Sequence, residues 1–389
     1  MKTVFLTGVT GFVGSNLAHE LLKSGYKLKL LIRDKQDTAE ERLKKCLAYL
    51  INSQDEYERL SKNVEVVHGD IIFESLGIEP IILSRLRSEV DVVIHSAALT
   101  NFSESYRNQL YQYNVEGTKN VLDFALGLKH PDFHHISTAY ICGQGNPIFS
   151  ENDLDVGQSF NNPYEESKFH TEKLVDQYGK KSSLNISVYR PSIIVGNSVT
   201  GKTANFLGVY SIIKAIFFLA ELFNSDLAKA GKRALTAGVS RIDDKLHIPL
   251  RIPGDKDKTL NIIPIDYAVN VILCSLQKDS SGKTYHIVNP APPSLGELMR
   301  SLISVFNITG IKIVHPDEIE SQPLTEWEKF YLDSIQDVVP YLNRKEPVFK
   351  DENTKSILEG TNYICPVITE ELMNKLVSYY RNTRELKQW

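Results

Sequence analysis

Tyr164 and Lys168 stand four residues apart in "YEESKFHTEKL", a stretch with helical character. That spacing puts a phenol and an ammonium on one helix face, where the cation favours the phenolate. Such a pair can exchange a proton with a carbonyl or alcohol oxygen, although a solvated lysine on a surface helix gives the same pattern. Upstream, "HHISTAYICG" ends an expected strand at Ser137 and Thr138, where a hydroxyl can serve the same oxygen.

A second constellation lies at residues 7–14, "TGVTGFVG". Gly8, Gly11 and Gly14 follow a strand-like run and open a helix-like one, so they allow a tight turn, close backbone approach to a pyrophosphate and close helix packing. An ordinary strand-to-helix turn uses similar glycines; the strand-turn-helix context favours a dinucleotide. Thr7, Gly8, Thr10, Gly11, Phe12, Val13 and Gly14 are therefore the expected cradle. The second strand ends near Ile32 in "LIRDKQDTAEERL", where an NAD-type site would carry an acid for the ribose hydroxyls. Ile32 is apolar and Arg33 follows, which suits a 2′-phosphate. Arg42 can add a second phosphate contact or remain an ordinary helix residue. Asp34 can act as the NAD-type acid or pair with Lys35. NADPH is the expected cofactor, with NAD as the alternative.

These groups need a scaffold. "TVFLTG", "KLKLLIR", "VEVVHGD", "VDVVIHSAA", "FHHISTAY" and "NISVYRPSIIVG" read as strands with helix-like stretches between them, which predicts an α/β, doubly wound parallel-sheet Rossmann domain over 1–196. Segments near 260–288 ("LNIIPIDYAVNVILCSL", "TYHIVNP") return to it, and 197–259 with 289–389 make a smaller mixed substrate lobe. In that lobe 205–223, "NFLGVYSIIKAIFFLAELF", is apolar nearly all round and broken by Lys214 and Glu221. Three readings stand for it: a buried helix, a greasy wall for an acyl chain, or a peripheral membrane contact. The C-terminal "LVSYYRNTRELKQW" reads as an amphipathic helix. With 389 residues, 24% charged and a net charge of −4, the chain offers no basic block for nucleic acid. Cys46, Cys142, Cys274 and Cys365 form no ligand cluster, and His95, His134 and His135 read as core or loop residues, so no metal site is expected. The short apolar start is no signal peptide, and a cytoplasmic protein is expected.

Taken in order, "TGVTGFVG", "GDI", "HSAA", "YNVEGTKNVL", the Ser-Thr strand end, "YEESK" and "YRPSIIVG" resemble the extended short-chain dehydrogenase/reductase superfamily. The resemblance implies that Thr138, Tyr164 and Lys168 are the catalytic hydroxyl, the acid/base and the lysine that also holds the nicotinamide ribose. Asp70 and Ile71 would border the adenine, Ala97 and Ala98 the phosphates and ribose, and Pro191, Ser192 and Ile193 the nicotinamide. Asn114 would stabilise the site from its helix. Thr138 stands where many extended members have serine, which keeps the hydroxyl. "LIRDKQDTAEERL", "VIHSAALTNFSESYRNQLYQYNVEGTKNVL" and "PVFKDENTKSIL" look most like thioester reductase domains and fatty acyl-CoA reductases of the male-sterility type. That likeness implies NADPH-dependent reduction of an acyl thioester, bound to coenzyme A or a carrier protein, or of the derived aldehyde. Two-electron and four-electron outcomes both remain open. A sugar-nucleotide epimerase or dehydratase, and a hydroxysteroid-type dehydrogenase, are the alternatives. No adenylation or carrier segment accompanies the reductase, so the acyl donor is expected as a separate molecule. A homodimer is the default assembly.

Overall fold

In the computed structural model, which describes residues 1–51, 53–129, 132–278, 282–342 and 344–385, "TVFLT" forms β1 (Thr3–Thr7), buried along its whole length. α1 (Phe12–Lys23) follows, then β2 (Lys27–Ile32), β3 (Val64–His68), β4 (Val92–His95) and β5 (Asp132–Ile136). After the short β6 (Ile148–Phe149) comes β7 (Asn185–Pro191), and strand Thr284–Ile287 completes a seven-stranded sheet. Its order is Thr284–Ile287, β7, β5, β4, β1, β2, β3, every neighbouring pair parallel. The expected doubly wound α/β architecture is therefore present. Parallel strands covered by helices on both faces require near-continuous apolar runs, which is how β1 and β4 read. Alternation sorts the side chains: Val4 and Leu6 join α1 and helix Ile265–Gln277 in one core, while Phe5 joins Val93, Phe133 and helix Gly117–Leu126 in the other.

The chain steps outward from β1 to β3 and then restarts at β4 on the other side of β1. Such a reversal opens a crevice at the carboxyl ends of the two strands. Here that crevice lies between the loops after Thr7 and after His95.

Two compact units divide the chain: Met1–Ile194 with Ile263–Val288 and Pro347–Cys365, and Val195–Ile262 with Asn289–Glu346 and the residues from Pro366 on. The sequence reading places segments near 260–288 with the first domain and 289–389 with the lobe; Ile263–Val288 and Pro347–Cys365 both belong to the first unit. Val348–Phe349 pairs in parallel with β6. The buried Glu151 carboxylate then accepts from the backbone N–H groups of His286 (2.9 Å) and Asn353 (2.7 Å). In the second unit, Ile308–Val314, Lys245–Pro253 and Ser240–Ile242 form a three-stranded sheet. Helix Val209–Ala228 buries Ile212, Ile213, Ile216 and Leu219, and its Phe223 meets Trp327 at 4.9 Å. Among the described residues no helix is long and apolar enough to cross a membrane, and none of their His, Cys, Asp and Glu side chains group as metal ligands. Helix Glu370–Glu385 occupies the C-terminal amphipathic stretch, whose last residues, Trp389 included, lie outside the described ones.

Candidate active site

Gly8 has φ +78°, and a Cβ there would fall 2.4 Å from the Ala97 nitrogen. Only glycine lets the β1 loop touch the β4 loop this closely. A Cβ on Gly14 would lie 2.2 Å from the Gly8 carbonyl oxygen, so Gly14 serves the packing of α1 on the turn. Gly11 precedes α1 and offers no side-chain cap, which leaves first-turn N–H groups for an external anion. Phe12 and Val13 occupy that first turn and pack on the core. Thr7 braces the two loops: its hydroxyl accepts from the Ala97 N–H (3.2 Å) and bonds His95 Nδ1 (2.7 Å). His95 is fully buried, and desolvation, with Lys168 nearby, pushes its pKa down to about 3. The neutral ring bridges Thr7 and Thr118, a structural role consistent with the core reading.

The crevice is a cleft of about 430 Å³ lined by Thr7, Gly8, Thr10, Gly11, Arg33, Arg42, Asp70, Ile71, Ala97 and Ala98, all expected from sequence. Lys35, Gln109 and Tyr113 line it too and were not expected. Arg33 donates through Nη1 to Asp70 Oδ2 (3.1 Å) and to the Tyr113 hydroxyl (2.7 Å). Arg42 donates to the Arg33 carbonyl and to Thr10 Oγ1 (3.4 Å). The Arg33 guanidinium, followed by desolvation and Arg42, holds the Lys35 ammonium below its ordinary value. Three cations thus crowd one end of the cleft, and Asp70 is the carboxylate among its lining residues. Asp34 faces elsewhere: it accepts from the Ala39 N–H (3.0 Å) and pairs with His68 (3.0 Å), whose bond holds the carboxyl below its usual range.

Helix Pro163–Lys181 carries Tyr164 and Lys168. Asn162 caps it by accepting from the Glu165 N–H (3.0 Å), and Pro163 supplies a preset φ at the first turn. Tyr164, Lys168 and Glu172 follow at one-turn intervals on one face. Lys168 is 2% exposed; desolvation pushes its pKa down to about 8, with Glu172 opposing. Its ammonium donates to the Ile136 carbonyl at the end of β5 (2.8 Å) and lies 3.4 Å from His135 Nε2. Burial pushes the Tyr164 hydroxyl up to about 12, against a hydrogen bond with Thr100. The Thr138 hydroxyl bonds the Pro191 carbonyl (3.4 Å) and accepts from the Tyr140 N–H (3.3 Å). Thr138 is thereby tied to the end of β7, Lys168 to the end of β5 and Tyr164 to the loop after β4. Pro191 ends β7, and the next N–H, that of Ser192, bonds Ile287 (3.0 Å). Ser192 and Ile193 are, like Pro191, outside the lining of the cleft.

Asn114 is buried in a π-helical turn, Tyr111–Glu116, and fastens the site from behind. Its amide accepts from the Leu99 N–H (2.7 Å), donates to the Leu99 carbonyl (3.1 Å) and donates to Ser167 Oγ (2.9 Å). The β4 loop and the Tyr164 helix are thereby held together. Thr171 donates to the Asn114 carbonyl (3.0 Å), satisfying backbone that a π turn displaces from the α pattern. His135, Thr100 and Tyr113 were missed as site neighbours. Tyr113 had a detectable signal, since it adjoins Asn114; His135 and Thr100 had none beyond their strand and loop positions.

A family model of NAD-binding domains described as male sterility protein matches residues 6–272. The chain is 30% identical over 388 residues to the L-2-aminoadipate reductase of Schizosaccharomyces pombe, covering 92% of this chain and 24% of that protein. It is 27% identical over 319 residues to a carboxylic acid reductase of Mycobacterium tuberculosis, covering 76% and 25%. Among solved structures, the terminal R domain from the myxalamid PKS-NRPS biosynthetic pathway aligns with a TM-score of 0.78 at 26% identity, over 100% of this chain and 92% of that one. The chain spans 7% to 36% of the length of the curated relatives it matches.

Proposed function

Because the chain belongs to the male sterility protein family, extended short-chain dehydrogenases/reductases that are NAD(P)-dependent oxidoreductases, we propose that it reduces a carrier-protein-bound or coenzyme A-bound acyl thioester with NADPH. One arrangement carries the reading: the glycine cradle follows β1, while Lys168 and Thr138 bond the last residues of β5 and β7, at the same carboxyl end of one parallel sheet. Thr138, Tyr164 and Lys168 stand outside the lining of the cleft itself. The acyl class is supported by the reductases among the relatives.

The residues present fit the cofactor. Gly8, lacking a Cβ, lets the β1 loop lie against the β4 loop at Ala97, and the first turn of α1 presents N–H groups for a pyrophosphate. Asp70 and Ile71 would border the adenine, Arg33, Lys35 and Arg42 the 2′-phosphate, Ala97 and Ala98 the ribose and phosphates, and Lys168 the nicotinamide ribose. Pro191, Ser192 and Ile193 would pass beside the nicotinamide. When bound, NADPH supplies hydride to the thioester carbonyl carbon. Tyr164 donates its proton at the carbonyl oxygen, and the Thr138 hydroxyl bonds the same oxygen as charge develops there. For this the Lys168 ammonium turns from the Ile136 carbonyl toward the Tyr164 phenol, and Tyr164 releases Thr100. Asn114 keeps the β4 loop and the Tyr164 helix fixed during that exchange. Loss of the thiol leaves an aldehyde.

The test is consumption of NADPH by purified protein given acyl-CoAs and acyl-carrier thioesters, with aldehyde or alcohol identified as product. Absence of turnover with every thioester and aldehyde overturns the proposal; interconversion of a sugar nucleotide without net cofactor change would favour an epimerase. Charge-assisted hydrogen bonds contribute about 1.5–3 kcal/mol. Arg33→Ala is accordingly expected to weaken NADPH binding roughly 10- to 100-fold and NADH binding little. Unchanged NADPH affinity in a titration would remove Arg33 from the phosphate site.

A further inference from the structure

We propose that Tyr113 determines cofactor specificity, as the positioning residue that aims Arg33 at the 2′-phosphate; the proposal rests on the NADPH reading above. Arg33 is about one-third exposed at the mouth of the cleft, and a free arginine there would sample many rotamers. Two partners restrain it. Asp70 and Tyr113 both accept from Nη1, and the Tyr113 ring centroid lies 5.1 Å from the guanidinium carbon. With Nη1 so occupied, the Nε and Nη2 edge of the planar fork is left for an anion, the edge that forms bidentate bonds.

The two partners differ in kind. Asp70 orients Arg33 but brings a negative charge that opposes a phosphate. Tyr113 orients it with a neutral acceptor, so it fixes the guanidinium without cancelling the field of Arg33, Lys35 and Arg42. Tyr113 is itself well placed to do so. It precedes Asn114 in the π-helical turn, and Asn114 is bonded to both Leu99 and Ser167. The turn cannot drift without breaking those bonds. NADH carries a hydroxyl where NADPH carries the phosphate, so the benefit of a preset Arg33 falls on NADPH alone.

The test is equilibrium binding, with no turnover required: titration of NADPH, NADH, 2′,5′-ADP and ADP into wild type, Tyr113→Phe and Tyr113→Leu. Tyr113→Phe keeps the ring and removes the acceptor; NADPH and 2′,5′-ADP are expected to bind about fivefold to tenfold more weakly, with NADH and ADP within about twofold. Tyr113→Leu removes the ring as well and is expected to lose more. Wild type that prefers NADPH, with Tyr113→Phe keeping or strengthening that preference, overturns the role of Tyr113 while leaving the NADPH reading intact. Wild type with no preference overturns both. Weakening of all four ligands alike in Tyr113→Phe would mark a general structural effect and also overturn the proposal.

Discussion

Tyr164→Phe is expected to lower kcat for thioester reduction by about 10²- to 10⁴-fold while leaving NADPH affinity within about twofold. The substitution removes one oxygen. The ring remains beside Phe102, whose centroid is 5.8 Å away, so the shape of the wall is kept. What disappears is the donor proposed to protonate the substrate oxygen. At neutral pH the phenol, raised to about 12 by desolvation, is protonated and can donate; the neighbouring ammonium then has to make its conjugate base tolerable. That requirement gives the wild type a pH signature. Burial depresses Lys168 to about 8, so its charge is present below that value and lost as pH rises through it. Reduction by wild type is therefore expected to slow above about pH 8. A pH–rate profile and a binding titration read the two effects separately. Near-normal turnover of Tyr164→Phe would mean that water or another group supplies the proton.

Much of this site is written locally in the sequence. A positive φ, and a backbone nitrogen 2.4 Å from where a Cβ would lie, admit only glycine, so the turn at Gly8 is visible as a residue type. The Tyr164 and Lys168 spacing works because a helix repeats every 3.6 residues, and the parallel sheet shows as apolar runs. Other features depend on contacts far apart in the chain. Asp34 looked able to serve the ribose, but its direction is set by His68, 34 residues on, and by the Ala39 N–H. The return of Pro347–Cys365 rests on a two-residue strand pair and on Glu151, a buried acid about 200 residues upstream of Asn353. Neither leaves a periodic pattern. Tyr113 was hidden for a different reason: a π turn breaks the α-helical periodicity by which a residue's facing is read. The sequence also left helix Val209–Ala228 open among three readings. In the structure its Phe223 and Phe217 pack against Trp327 and Phe306, while Phe218 stays exposed.

The largest stability effect is expected from Glu172→Gln. Glu172 and Arg190 are each about 3% exposed. They are joined by Nε to Oε1 (3.1 Å), Nε to Oε2 (3.0 Å) and Nη2 to Oε2 (2.8 Å). Around Arg190 the remaining partners are neutral: the Phe149 ring at 5.4 Å, the carbonyls of Ser150 and Glu151, and His286, whose pKa burial pushes down to about 3. Removing the carboxylate strands a guanidinium that cannot deprotonate, on a residue only 2% exposed. Breaking such a pair from one side costs about 3–5 kcal/mol, and the glutamine acceptor keeps the expected loss near the lower end. A urea midpoint measures it; a shift worth under about 1 kcal/mol would show that water or Glu151 compensates the charge. Activity should change in a separate way. Glu172 lies one turn beyond Lys168 and favours its ammonium, so the variant is expected to move the alkaline limb of the rate profile below its wild-type position. Replacing both partners, Glu172→Met with Arg190→Leu, removes the stranded charge and is expected to recover most of the stability. The alkaline limb should stay displaced, because Lys168 still lacks the carboxylate. A double variant that regained both properties would show that Glu172 acts on the fold alone, and that burial together with the Ile136 carbonyl sets the charge on Lys168.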